Sequence, residues 1–186
     1  MNETIRVSGT LTAIAVVSAL LLSGTYDYTK ARIESSLDEQ TNKALAGVFP
    51  DGGVSSFKKS SFGNTTVYKA LNSDGNTVGY AFFVEGKGYG GVIKTLVGVD
   101  REKKITGIVI LSQQETPGLG DRITEVKPGD SKPWFQKQFE GKTSDELKLK
   151  RNGGGIDAVT GATISSKAVL DSVRAGLENI NLSEVD

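Results

Sequence analysis

A long apolar run near the N-terminus is the first feature of this chain. Between Arg6 and Asp27 no residue is charged. A helix over residues 7–26, with a rise of about 1.5 Å per residue, spans about 30 Å, which matches the hydrocarbon core of a bilayer. The run is longer than the apolar core of a signal peptide, so we predict an uncleaved transmembrane anchor within residues 1–27.

The hydrophobic pattern then changes to a helical stalk. Residues 28–45 contain neither Gly nor Pro, and apolar side chains recur among them at helical spacing. Gly47 and Pro50 end this pattern. We therefore predict a helical stalk over residues 28–50.

Strand patterns follow the stalk. Residues 51–65 are rich in Gly, Ser and Lys and predict a loop or short edge pieces. Two pairs of β-branched and aromatic runs come next, each pair separated by a polar turn, and they predict two antiparallel hairpins. These runs are Thr66–Leu71 with Thr77–Glu85, and Val92–Val99 with Ile105–Ser112.

The last third of the chain predicts mixed structure. Trp134, Phe135 and Phe139 suggest a short helix, and Glu146–Lys150 suggests a short strand. Apolar residues at helical spacing predict a final helix over Ile164–Asn179. The fold class is therefore α+β, with antiparallel β-hairpins and flanking helices forming one domain over residues 51–186.

Composition narrows the chemistry. The chain has no Cys and no His, which excludes disulfides, thiol nucleophiles, His-based catalytic relays and the usual zinc and iron–sulfur sites. Lys and Arg number 22, as do Asp and Glu, and no basic patch indicates nucleic-acid binding. We therefore expect no metal site. What remains is carboxylate, hydroxyl or amine chemistry, or a bound cofactor that brings its own reactivity.

Two segments carry candidate chemistry. Residues 115–120 (ETPGLG) form a sharp turn directly after a predicted strand. Residues 157–167 (DAVTGATISSK) place four hydroxyl side chains where the last helix begins. One hydroxyl is enough to cap a helix, whereas several hydroxyls beside free N–H groups are typical of an anion site.

These segments resemble the FMN-binding domain family. The stretch Asp157–Thr163 followed by Ser165 is similar to the motif in which the last Thr is joined to FMN through a phosphodiester. The ETPGLG segment and the glycine-rich Gly88–Gly91 resemble two further family elements in the same order. With its N-terminal anchor, the chain most resembles the G subunits of Rnf-type ion-translocating ferredoxin:NAD⁺ oxidoreductases, and next the C subunits of sodium-pumping NADH:quinone oxidoreductases.

The resemblance implies a set of FMN-binding residues and no catalytic residue. Thr163 is implied as the covalent attachment point, Asp157 as a residue that assists the modifying enzyme or orients the loop, and Ser165 and Ser166 as phosphodiester donors. Glu115, Thr116 and Leu119 are implied to line the flavin ring, with Leu119 on its apolar face and Glu115 setting the charge beside it. The remaining implied contacts are Gly90, Thr160, Gly161 and Ala162.

The resemblance also implies partners and a location. The expected function is electron transfer in a membrane complex, with the FMN domain on the extracytoplasmic side. The expected partners are the other membrane subunits, including a second flavin-bearing one, and a flavin transferase that uses FAD. Arg6 lies before the apolar run and Lys30 after it, so charge alone does not decide the orientation.

The sequence alone leaves three other functions open. One is a C-type subunit of a sodium-pumping NADH:quinone oxidoreductase, and another is a free-standing extracytoplasmic flavoprotein. The third is a membrane-tethered binding or assembly domain without flavin, in which the hydroxyl cluster only caps the helix.

Overall fold

The computed structural model describes residues 3–50, 53–62 and 65–182. The predicted domain boundary at residue 51 lies outside these ranges. The helices are α1 (Glu3–Val48), α2 (Trp134–Lys137) and α3 (Thr163–Asn179), and the strands are β1 (Ser56–Phe62), β2 (Thr65–Leu71), β3 (Thr77–Lys87), β4 (Val92–Asp100) and β5 (Ile105–Ser112). The chain forms two units, one up to Asn42 and one from Lys43 onward.

The first unit consists of α1 as far as Asn42. Its segment Ile5–Lys30 is long and apolar enough to cross a membrane, and none of that segment is buried in the protein. The hydroxyls of Thr10 and Thr12 each donate a 2.9 Å hydrogen bond to the carbonyl four residues earlier. Since these polar groups are satisfied within the helix, they are compatible with a lipid environment.

The second unit is built on a five-stranded antiparallel sheet with strand order β1-β2-β3-β4-β5. Both predicted hairpins are confirmed, as β2–β3 and β4–β5. Within the segment predicted as loop or edge pieces, Ser56–Phe62 forms a full edge strand paired with β2. The α+β fold class is confirmed.

Side-chain alternation along the strands gives the sheet two apolar faces. On one face Phe82 and Val97 belong to the larger core, together with Val169 and Val173 of α3. On the other face Ala81 and Leu96 cluster with Ala44, Leu45 and Val48 at the end of α1. The sheet is therefore covered on both sides.

The predicted strand at residues 146–150 is wrong. This region instead contains the 3₁₀ turns Ser144–Glu146 and Lys150–Asn152 and a single bridge between Leu149 and Ile156. Leu147 and Leu149 are both buried with an exposed residue between them, so they imitate the alternation of a strand. A strand also needs a partner along its length, and here the chain turns back on itself at Gly153.

Candidate functional site

A cavity of about 540 Å³ lies where three segments of the second unit meet. The segments are the turn after β3, the loop after β5 and the start of α3. The lining residues are Tyr89, Glu115, Thr116, Leu119, Gly120, Gly161, Ala162, Thr163, Ile164 and Ser165. Seven of the eleven residues that the resemblance implied are among them, brought together from distant parts of the sequence.

The start of α3 brings unsatisfied donors to this cavity. Its N-cap is Ala162, which has no side chain able to cap, and the first helical hydrogen bond runs from the Ser166 N–H to the Ala162 carbonyl at 3.0 Å. The N–H groups of residues 163–165 therefore have no helical acceptor. Within the described residues the Thr163 hydroxyl has no hydrogen-bond partner either. This helix end is arranged to receive an anion.

The turn that leads into α3 is held rigidly. Gly161 adopts a φ of 79°, a left-handed conformation that favours glycine. The Ser166 hydroxyl is buried, accepts a hydrogen bond from the Val159 N–H at 2.9 Å and donates one to the Ala162 carbonyl at 2.9 Å. Ser166 therefore braces the turn, and its one hydroxyl proton is directed at the backbone.

Glu115 connects the three segments. Its carboxylate is buried and accepts hydrogen bonds from the N–H of Tyr89 at 3.1 Å, the N–H of Gly90 at 2.9 Å and the hydroxyl of Ser165. Burial raises the pKa of this carboxyl, but the hydrogen bonds from Ser165 and from the backbone around Gly90 together lower it below the ordinary glutamate value. The carboxylate is therefore ionised at neutral pH. Its implied role beside the ring stays a prediction.

Close packing around Glu115 requires a glycine at position 120. A Cβ placed on Gly120 would lie 2.7 Å from both the Glu115 Cβ and the Ser165 Oγ. A side chain at this position would push the carboxylate and the serine apart. The last glycine of the ETPGLG segment thus allows the loop after β5 to approach α3.

Apolar side chains line the mouth of the cavity. Tyr89 is 74% exposed, Ile164 56% and Leu119 47%, although all three contribute to the lining. Side chains of this kind suit the faces of an aromatic ring. Tyr89, Ile164 and Gly120 were not among the predicted contacts. Tyr89 lies inside the glycine-rich segment, and Ile164 lies between two predicted residues. Their positions within these motifs are the sequence signal that could have identified them as cavity residues.

Four predicted residues lie outside the lining, namely Ser166, described above, and three others. Thr160 is exposed in the turn before α3, and Gly90 acts through its hydrogen bond to Glu115. Asp157 is exposed, and its carboxylate pairs with Lys150. Its carbonyl accepts a hydrogen bond from the Gln138 Nε2 at 3.1 Å, and its N–H donates one to the Gln138 Oε1 at 2.7 Å. Asp157 is thus a surface residue near the site that anchors the turn.

Comparison with known proteins agrees with this geometry. Residues 1–48 match the model for the RnfG N-terminal region, and residues 88–178 match the FMN-binding domain. A protein of Methanosarcina acetivorans described as the G subunit of an ion-translocating oxidoreductase complex is 34% identical over 98% of this chain and 97% of its own length. This chain belongs to that G-subunit family.

A further relative supports the assignment to the G-subunit family, and a solved structure shares the fold. In Clostridium ljungdahlii, the G subunit of a proton-translocating ferredoxin:NAD(+) oxidoreductase complex is 32% identical over 96% of this chain and 92% of its own length. The crystal structure of Shewanella oneidensis NqrC has the same fold, with a TM-score of 0.50 and 24% identity over 61% of this chain and 55% of that one.

The cavity fits the cofactor of this family. All ten lining residues lie within the stretch that matches the FMN-binding domain. Free N–H groups at the start of α3 suit a phosphate, and apolar side chains at the mouth suit a flavin ring. FMN supplies the redox chemistry of such a protein when it is bound, while the chain supplies position and charge.

Proposed function

We propose that this chain carries FMN on Thr163 through a phosphodiester bond and transfers electrons through that flavin within an ion-translocating oxidoreductase complex. Family membership supports the role in such a complex, and the FMN-binding domain supports the cofactor. The observation that carries the covalent bond is the Thr163 hydroxyl. It lines the cavity without a hydrogen-bond partner among the described residues, directly beside the free N–H groups of α3.

The attachment is a transfer from FAD by a separate flavin transferase. The Thr163 Oγ forms a bond to the flavin-side phosphorus of FAD, the pyrophosphate bond breaks, AMP leaves and the hydroxyl proton passes to the transferase or to water. No oxidation or reduction takes place in this step. Since Thr163 is half-buried at the edge of an open cavity, a second enzyme can reach it.

Residues in and beside the cavity then have separate tasks. The N–H groups of residues 163–165 would hold the phosphodiester oxygens, and Leu119, Ile164 and Tyr89 would shield the flavin ring from water. Glu115 fixes Ser165 and the turn at Gly90 in place. Ser166 keeps the turn before α3 rigid.

By analogy with the relative in Clostridium ljungdahlii, we assign the electron path of the complex to the route between ferredoxin and NAD⁺. The partners are the other membrane subunits, including a second flavin-bearing one. The FMN domain lies on the extracytoplasmic side, so the short tail before the anchor stays inside.

The attachment point is tested by Thr163→Val and its neighbour Thr160→Val. Valine keeps the shape of threonine and removes the oxygen, and Ala162 already caps α3 without a side chain. We therefore expect Thr163→Val to fold and reach the membrane without covalent flavin. Thr160→Val should keep it, because Thr160 lies outside the cavity lining.

The measurement is in-gel flavin fluorescence with peptide mass spectrometry after co-expression with a flavin transferase. Thr163→Ser, which retains a hydroxyl, should recover part of the modification. Covalent FMN retained in Thr163→Val, or lost only in Thr160→Val, contradicts the assignment. A wild-type chain of unmodified mass would support the alternative of a binding or assembly domain.

A further inference from the structure

The charge balance of the cavity is unusual for a phosphate site. Among its ten described lining residues there is one carboxylate, that of Glu115, and there is no lysine or arginine. Lys150 and Lys167, on either side of the start of α3, pair with Asp157 and Asp171, and Arg122 after β5 pairs with Glu125. The positive charge facing a phosphate here comes from backbone N–H groups.

The sign of the electrostatic field in the cavity depends on two charges, those of the α3 N-terminus and of Glu115. A helix N-terminus acts as about half a positive charge, whereas Glu115 contributes one full negative charge. The Ser165 side chain binds Glu115 while the N–H of the same residue belongs to the free donors of α3. The carboxylate is therefore close to the free N–H groups, and the sum of these two charges is negative.

The candidate ligands differ in charge at their phosphate. A phosphate monoester, as in free FMN, carries about 1.5 to 2 negative charges at pH 7, because its second ionisation lies near pH 6. A phosphodiester carries one. The free N–H groups can bind one anionic charge, but a second charge would meet Glu115 with no lysine or arginine among the described lining residues to neutralise it.

We infer that Glu115 is a specificity-determining residue that makes this cavity accept a flavin phosphodiester and reject the phosphate monoester of free FMN. This inference rests on the proposed attachment to Thr163. It also has a functional consequence. Free FMN does not occupy the cavity ahead of the transferase, so the Thr163 hydroxyl stays accessible until the covalent bond is made.

The titrating group in the relevant pH range is the ligand. Glu115 is already ionised there, because its hydrogen bonds lower its pKa. Protonation of the FMN monoester below about pH 6 leaves a single charge, which removes the difference from a phosphodiester. Other ionisable side chains on the surrounding segments include Lys87 at the end of β3, Tyr89 after it, Asp121, Arg122 and Glu125 after β5, and Asp157 and Lys167 around the start of α3.

The test uses the full-length Thr163→Val chain, which cannot form the phosphodiester bond to FMN. This chain is placed in lipid nanodiscs and titrated with ligand. The ligands are FMN and its 5′-monomethyl ester, a phosphodiester with the same ring, and binding is followed by flavin fluorescence. Near pH 7.5 we expect the methyl ester to bind about tenfold more tightly, and near pH 5.5 we expect less than about a threefold difference. In the double variant Thr163→Val, Glu115→Gln the preference near pH 7.5 should also fall below about threefold.

Several outcomes overturn the inference. FMN bound as tightly as its methyl ester near pH 7.5 would show that the second charge is tolerated. A preference that persists near pH 5.5, or binding of neither ligand, would show that the cavity does not select by phosphate charge. The intact mass of the wild-type chain tests the proposed function separately, since a chain without covalent flavin refutes that proposal whatever the titration gives.

Discussion

Glu115 joins the three segments that line the cavity. It is one of five polar or charged residues in the described part of the chain that are buried as whole residues, and it accepts hydrogen bonds from two other segments. A buried carboxylate is tolerated only when donors compensate its lost hydration. Its contacts therefore hold the three walls of the cavity together, and its charge contributes to the selectivity of the cavity.

The first prediction concerns acid stability. The pKa of Glu115 is lower in the folded state than in the unfolded chain, so the carboxylate stabilises the fold above about pH 4.3, the ordinary glutamate value. This contribution is lost as the pH falls through the lower, folded-state pKa. Glu115→Gln should cost about 1 to 3 kcal/mol at neutral pH, and the difference from wild type should shrink in acid.

Urea unfolding followed through the fluorescence of Trp134, the only tryptophan of the chain, measures this difference. Comparing wild type and Glu115→Gln between about pH 7 and about pH 3 isolates the carboxyl group. A difference that stays constant over this range would show that the ionised form has no special stabilisation.

A second prediction concerns the glycine that lets Glu115 and Ser165 meet. Because a Cβ at Gly120 would lie 2.7 Å from both side chains, Gly120→Ala should lower the free energy of unfolding by about 1 to 3 kcal/mol and reduce flavin occupancy. Gly155→Ala is the matched control, since its nearest neighbour is the Lys142 Nζ at 3.6 Å. Equal stability and occupancy in the two variants would contradict the close packing.

Among the elements, α1 combines two roles. Its segment Ile5–Lys30 has the length and polarity of a membrane span, while Ala44, Leu45 and Val48 near its end pack against Ala81 and Leu96 of the sheet. The last turns of the helix are thus part of the hydrophobic core of the second unit.

Leucine-to-alanine substitutions separate these roles. Leu45 is fully buried, so Leu45→Ala should destabilise the second unit by about 2 to 5 kcal/mol. Leu37 lies on the same helix but is 55% exposed, and Leu37→Ala should change stability by less than about 0.5 kcal/mol. Chemical unfolding of both variants in detergent measures this. Similar effects of the two substitutions would show that the end of α1 is not part of the core.

At the scale of the whole molecule, the orientation in the membrane determines which partners the flavin meets. We expect protease added to intact spheroplasts to digest the domain, because the proposed location is extracytoplasmic and the domain has many exposed lysines. Immunoblotting of the remaining fragment is the readout, with a cytoplasmic protein as the protected control. Digestion only after lysis would show that the domain lies on the cytoplasmic side.

Local sequence determined most of the elements. The uncharged run, the paired β-branched stretches and the periodic final helix predicted α1, the two hairpins and α3, because helix and strand periodicities are properties of neighbouring residues. The motifs containing Glu115 and Thr163 also indicated the cofactor family. The alternation of Leu147 and Leu149 misled because a strand depends on a partner that neighbouring residues do not specify.

Only the tertiary structure decided how the site is assembled. Ser165 and Glu115 lie 50 residues apart in sequence, and their contact depends on how α3 packs on the sheet. The sequence indicated hydroxyl groups near Thr163, but the structure directs Ser166 at the backbone and Ser165 at Glu115. Tyr89 and Ile164, which the sequence did not predict as contacts, line the cavity for the same physical reason. The lining of a cavity is determined by the packing of distant segments.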